Sequence, residues 1–236
     1  MNKKSNKALT GLIGILLLMA VPTCYFIAEQ NNPNDPKNLN EYMGLPVADT
    51  GQTLCYDVSG NIIACDENPA GYPRQDGFYA NKPNARSFTG PTSHPTYTSD
   101  YTTKDNLTGL VWKSCSQGWD GAACANDNAD LNTYNWADAL TACTALNSLN
   151  SGAGYAGRIT WRLPTIEELS TLTNYGTTIP TTDVGSFPGT QTSSYWSSSN
   201  PISIAGHAWC VGFALPIVGL LDKTSNVFVR CVADAP

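Results

Sequence analysis

Apolar residues in this chain of 236 residues come in short, scattered runs, with one exception at the start. Residues 8–28 carry no charge and include Leu12, Ile13, Ile15, Leu16, Leu17, Leu18, Met19 and Val21, preceded by Lys3, Lys4 and Lys7. A basic start followed by an apolar run predicts an export signal or membrane anchor over 1–28. Residues 29–50 are rich in Asn, Pro and Asp and predict a flexible tether. The next segment, 51–103, opens with two short apolar stretches around Asp57, Val58, Ser59, Gly60 and Asn61, whose Gly and Asn tolerate positive φ, so a β-hairpin is expected there. Residues 68–99, dense in Pro, Gly and Asn, predict irregular connection.

Regular patterning begins near residue 104. Gly109, Leu110, Val111 and Trp112 suit a strand. Trp136, Leu140, Cys143 and Asn147 fall on one helical stripe that Ala139 and Leu146 broaden, which predicts a helix over 134–149 with Gly152 as its stop. Thr165, set three residues before Glu168, predicts a capping box and a second, shorter helix. Residues 173–194 read as a loop too polar to enter a core. Strands are expected over 195–198, 208–213 and 226–232. Two helices ahead of a strand cluster predict an α+β fold with an antiparallel sheet, preceded by the small hairpin segment.

Charge and cysteine narrow the setting. The formal charge is −6, and outside the three lysines of the start the chain has ten basic against nineteen acidic residues. Such a body has no global field for phosphate backbones, so no nucleic-acid partner is expected, and a membrane contact only through the N-terminal segment. Three fates of that segment are open: cleavage near Ala28, retention as an anchor, or lipidation of Cys24, which follows Val21, Pro22 and Thr23 as a loose lipobox. Cys55 and Cys65 flank the hairpin turn symmetrically, and Cys115 and Cys124 close a Gly-rich loop; both are read as local disulfides. With no C-x-x-C spacing, and with His94 and His207 far apart in sequence, disulfides in an oxidising compartment fit better than a metal site.

Read in order, six pieces resemble a known family. They are 105–112 with Leu110 and Trp112; Trp136 to Leu140 with Cys143; Trp161, Arg162, Leu163, Pro164, Thr165 and Glu168; Tyr195, Trp196, Ser197 and Ser198; Ala208, Trp209, Cys210 and Val211; and Val229, Arg230, Cys231 and Val232. Together, over 104–232, they resemble the C-terminal domain family of the Legionella collagen-like adhesin. Residues 51–57 with Gln75, Asp76 and Gly77 resemble a stretch that precedes this domain in exported bacterial proteins. The resemblance implies a C-type-lectin-like, disulfide-stapled fold used outside the cell or in its envelope for attachment. It also implies a bridge from the first helix to the end of the last strand, here Cys143 to Cys231, which leaves Cys210 as the odd thiol, read as a core residue.

The implied function is non-catalytic recognition of a glycan or surface protein through the loop 174–194. The ligand-facing candidates are Trp119, Asn174, Tyr175, Asp183 and Lys223, with Trp119 as the exposed aromatic. Binding of sulfated polysaccharide, which the resemblance implies for some members, requires Arg158, Arg162 and Lys223 to gather into a basic patch on this acidic body. Trp112, Trp136, Trp161, Trp196 and Trp209 are read as core, and Arg162 and Glu168 as scaffold. No cofactor is expected: Asp120, Asp127 and Asp130, with Asn126 and Asn128, have the oxygen chemistry calcium takes, but read as a solvated loop without a recognisable calcium motif. Residues 214–221 depart from the family with Leu215, Ile217, Val218, Leu220 and Leu221, either an exposed apolar loop for self-association in a filament or envelope subunit, or a segment folded back on the N-terminal hairpin. Formylglycine-generating enzymes share the Arg-Leu-Pro-Thr motif and a late Arg-Cys, and are the enzymatic alternative; they require a cysteine pair.

Overall fold

The computed structural model describes residues 46–66, 72–127 and 132–234. The segment expected to be a signal or anchor, with Cys24, the expected tether up to residue 45, and Asn128 and Asp130 lie outside them. The described fold is mixed α+β with antiparallel sheets, few helices and three disulfides.

Strands β1 (Cys55–Tyr56) and β2 (Ile62–Ile63) form the hairpin. Its turn is held by Asp57, whose carboxylate accepts from the Ser59 and Asn61 amides at 2.9 Å each, while Gly60 takes the positive φ of 82°. The Asn61 side chain and the turn amides hold the Asp57 carboxyl below its ordinary range. Gln75 continues the ladder with its side chain, accepting from the Tyr56 amide and donating to the Tyr56 carbonyl.

A four-stranded sheet orders β11 (Val232–Ala233), β5 (Val111–Lys113), β4 (Tyr101–Asp105) and β3 (Phe88–Ser93). Strand β3 corrects the expectation of irregular structure over 68–99: Gly90 and Pro91 hide its strand character, but pairing with β4 supplies its hydrogen bonds, and Pro is tolerated at this sheet edge. A two-stranded ribbon, β6 (Trp119–Asp120) with β7 (Asn126–Asp127), follows. A three-stranded sheet orders β10 (Ile217–Asp222), β9 (His207–Gly212) and β8 (Ser194–Trp196). Residues 214–221 are therefore not an apolar loop: most of them form the edge strand β10, in register with β9 from Ile217 opposite Gly212 to Asp222 opposite His207. Strand structure over 226–232 is reduced to the start of β11 and three isolated bridges, Val227 with Tyr134, Phe228 with Tyr195 and Val232 with Arg162.

Helix α1 (Trp136–Ala145) is shorter than the periodicity predicts. Tyr134 is engaged by Val227, Asn135 caps the first turn by accepting from the Asp138 amide at 3.0 Å, and the far end tightens into a 3₁₀ turn at Leu146–Ser148. Asn147 leaves the apolar stripe and pairs with the backbone of Trp161 through both its amide atoms. Helix α2 (Ile166–Ser170) starts with the capping box, Thr165 and Glu168 each satisfying the other's amide.

Alternation along the strands divides the core in two. Leu110 and Trp112 enter one cluster and Val111 the other; Tyr195 and Trp196, Val211 and Cys210, Val232 and Cys231 separate in the same way. These strands are buried on both faces, which is why they read as unbroken apolar runs rather than alternating ones. Trp112, Trp161 and Trp196 are fully buried, and the Trp161 and Trp196 indoles donate to the carbonyls of Tyr155 and Tyr134. Cys143 of α1 bonds to Cys231, Cys55 to Cys65 and Cys115 to Cys124.

Candidate functional site

The loop 173–190 is polar in composition but firmly built, and it corrects the expectation that it stays out of the core. Phe187 is completely buried, edge-on to Phe88 with ring centroids 5.1 Å apart. Around it the hydroxyls find carbonyls: Thr181 donates to Phe213, Thr182 to Leu172 and Thr190 to Phe187. The Asp183 carboxylate closes a turn by accepting from the Gly185 and Ser186 amides and the Ser186 hydroxyl. Burial of a polar loop is tolerable because its polar groups are satisfied internally.

Arg230 is the device beneath this loop. It is 1% exposed, donates from Nη1 to the Lys113 and Ser114 carbonyls and from Nη2 to Thr190 Oγ1 at 2.8 Å, and stacks 5.1 Å from the Phe187 centroid. Burial lowers its pKa, and Tyr195 opposes the shift. Sequence reasoning placed Arg230 only within a family motif; the signal for its burial was a lone cation between Val229 and Cys231 in an apolar run.

The pinned loop displays large apolar side chains beside the exposed Thr177 and Thr178. Tyr175 is 46% exposed, Ile179 60% and Val184 53%. The β9–β10 hairpin adds the exposed Leu215, Ile217 and Val218. Tyr175 joins these parts: its amide donates to Thr50, and its hydroxyl reaches the Pro216 carbonyl at 3.5 Å. A cleft of about 510 Å³ lies in the loop, lined among others by Asn174, Thr177, Ile179, Thr182, Asp183 and Val184. Of the predicted ligand-facing residues, the structure thus brings Asn174 and Asp183 into one cleft and sets Tyr175 at its side.

Trp119 and Lys223 stand elsewhere. Trp119 is not the exposed aromatic: it is half-buried in β6, its ring 5.8 Å from that of Phe228. Lys223 donates to the Ala205 carbonyl at 3.0 Å and lies 4.2 Å from the Trp136 ring centroid, so a cation–π contact occupies it. The basic patch does not form either. Arg162 is bidentate to Glu168, with both bonds at 2.7 Å, and also meets Asp234 at 2.7 Å, while Arg158 donates to the Asp234 carbonyl. The Glu168 hydrogen bonds hold the Arg162 pKa above its ordinary value despite partial burial. Asp120, one of the three acids considered for calcium, pairs with the buried Lys113 at 3.0 Å. Among the described residues no group of three or more His, Cys, Asp or Glu has the arrangement of a metal site.

A second cleft, of about 780 Å³, opens between residues 46–50, Arg86, α2 and Val218. Asp49 and Arg86 come from segments whose composition suggested tether and connection, and no local pattern marked either one.

Cys210 lies in the core, 4% exposed, with its thiol 3.5 Å from the Gly219 carbonyl. Burial raises its pKa. Alkylation of native protein at neutral pH followed by peptide mapping is expected to leave Cys210 unmodified until denaturant is added, because the thiolate is the reactive form. Rapid native labelling would show an accessible, activated thiol instead.

No curated protein matches the sequence. The family model described as the Lcl C-terminal domain matches residues 101–233, from the first residue of β4 to the last of β11. That span is more than half of the chain and holds both core clusters, the loop and Arg230, and the chain belongs to the Lcl C-terminal domain family.

Proposed function

We propose that this protein is an exported, non-catalytic recognition module whose C-type-lectin-like domain takes a glycan or protein ligand on the loop face around Tyr175. The observation that carries this reading is the combination of a loop pinned from below by Phe187 and Arg230 with exposed Tyr175, Ile179 and Val184 above. A preorganised face of this kind loses little entropy on binding, and a tyrosine supplies both an apolar ring and a hydroxyl. The family is adhesin-related, and three disulfides suit an extracellular or envelope setting. The bridge from Cys143 of α1 to Cys231, the residue before β11, is the one that the lectin-like resemblance implies, and it supports that arrangement. Against the enzymatic alternative, the free thiol among the described residues is Cys210 alone, with no second cysteine to form a reactive pair.

Because Arg158 and Arg162 are spent on Glu168 and Asp234, the ligand is expected to be uncharged, with binding nearly independent of salt. On an array of neutral and sulfated glycans and immobilised surface proteins, Tyr175→Ala is expected to weaken capture by roughly tenfold or more. Since Tyr175 is exposed, the unfolding midpoint should hardly move. Capture unchanged in both Tyr175→Ala and Ile179→Ser, or capture that falls steeply with salt, would sink this reading.

A further inference from the structure

We propose that the second cleft, between residues 46–50, Arg86 and α2, binds a neutral sugar, with neighbouring ring hydroxyls bridging the Asp49 carboxylate and the Arg86 guanidinium. This goes beyond the loop face and does not depend on it.

The polar pair is unsatisfied in a way that specifies a ligand. Asp49 is 5% exposed; its Oδ2 accepts from the Gly51 amide at 3.0 Å, and its buried Oδ1 has no partner among the described residues. Arg86 donates from Nη1 to the Thr173 carbonyl at 2.8 Å and to the Asp49 carbonyl at 3.5 Å, and its Cζ lies 5.5 Å from the Phe88 ring centroid, while its buried Nε and Nη2 have no hydrogen-bond partner among the described residues. Both residues line the cleft. Buried polar atoms are nearly always paired, so such a set marks a place that something else completes. A hydroxyl group donates to a carboxylate and accepts from a guanidinium at once, and two adjacent hydroxyls can serve both groups.

Charge argues against an anion. Asp105, Asp183 and Asp49 lie close enough to Arg86 to offset its charge, and Glu167 adds an exposed carboxylate to the cleft wall. The hydroxyls of the wall argue for a ligand rich in donors. Ser170, Thr171 and Thr173 spend their hydrogens on the carbonyls of Ile166, Glu168 and Ser170, each at 2.7 Å, and offer only lone pairs. A peptide brings one backbone donor per residue, whereas a pyranose brings several on one ring. Val47, Ile166 and Val218 supply apolar surface for the C–H face of that ring, and the cleft lies within the range of small-molecule sites, about 300 to 1,000 Å³.

The test is a titration of the isotope-labelled full chain, disulfides intact, with methyl glycosides of glucose, galactose and mannose, followed by amide spectra. Saturable shifts at residues 46–50, Arg86 and α2 are expected with at least one of them. Asp49→Asn and Arg86→Met should each weaken that binding by about tenfold or more, since a site built to hydrogen-bond a hydroxyl depends on those bonds. Val218→Trp, at an exposed position on the rim, should abolish it without touching the polar pair, and decides the matter if either polar variant fails to fold. Tyr175→Ala should leave it unchanged, which separates this cleft from the loop face. No saturable shift with any of the three glycosides would mean that water alone completes the pair, and the proposal falls. It falls equally if binding survives Val218→Trp or if sulfated glycosides bind better than neutral ones.

Discussion

Arg230→Met is expected to lower the unfolding free energy by about 3 kcal/mol or more, although no carboxylate partner is lost. Two opposing effects meet here. Removing a cation that is 1% exposed relieves its desolvation, which favours the variant. The same change strips donors from the Lys113 and Ser114 carbonyls and from Thr190 Oγ1, at about 1 to 3 kcal/mol for each buried group left unpaired. It also removes the guanidinium that stacks on Phe187, so the loop that carries Tyr175 loses its support. The second effect wins because several buried acceptors are orphaned for one charge removed. Arg230→Lys should recover little of the loss, since one ammonium cannot span the Lys113 and Ser114 carbonyls and Thr190 together. Urea unfolding with the disulfides intact measures this. A loss below about 1 kcal/mol would show that the orphaned acceptors find other partners. Faster amide exchange confined to residues 181–190 in the variant would locate the support in the loop.

The second large effect belongs to the Cys143–Cys231 bridge. Its sequence separation of 88 residues far exceeds those of the other two, 10 and 9. On the chain-entropy model the long bridge contributes about 4.6 kcal/mol, against about 2.7 kcal/mol for each short one. Cys143 and Cys231 are also fully buried in the core cluster of Trp161 and Trp196, so truncating both to Ala leaves lost packing in addition. Cys143→Ala with Cys231→Ala is therefore expected to destabilise more than either Cys55→Ala with Cys65→Ala or Cys115→Ala with Cys124→Ala, by about 2 kcal/mol. Denaturant unfolding of the three double variants ranks them. Equal losses would mean that the long bridge does not restrict the unfolded chain in the way the entropic argument assumes.

Local chemistry made part of this protein readable. Thr165 and Glu168 are three residues apart, and their mutual hydrogen bonds need nothing beyond one helical turn, so the capping box could be read directly. The turn at Asp57 and Gly60 and the two short disulfides are equally local. The long bridge was legible only through the family resemblance, because a separation of 88 residues carries no geometric signal in sequence. The helix ran long in prediction because periodicity does not see Tyr134 being taken by Val227 from the far end of the chain.

Of the binding candidates, Asn174 and Asp183 could be anticipated as members of one polar loop, and Trp119 failed because Phe228, more than a hundred residues later, lies against its ring. Strand β3 failed for a related reason: a sequence with Gly90 and Pro91 has little strand propensity, and its partner β4 confers the conformation. By itself, then, the sequence determined the α+β class, the short-range turns, caps and disulfides, and the family. Only the tertiary structure decided that Phe187 enters the core, that Arg230 is buried beneath a polar loop, that Leu215, Ile217 and Val218 stay exposed on an edge hairpin, and that Asp49 meets Arg86 in a cleft. The division follows the range of the forces. Hydrogen bonds within a turn depend on residue types a few positions apart, while burial and charge pairing depend on which distant surfaces the packed sheets bring together.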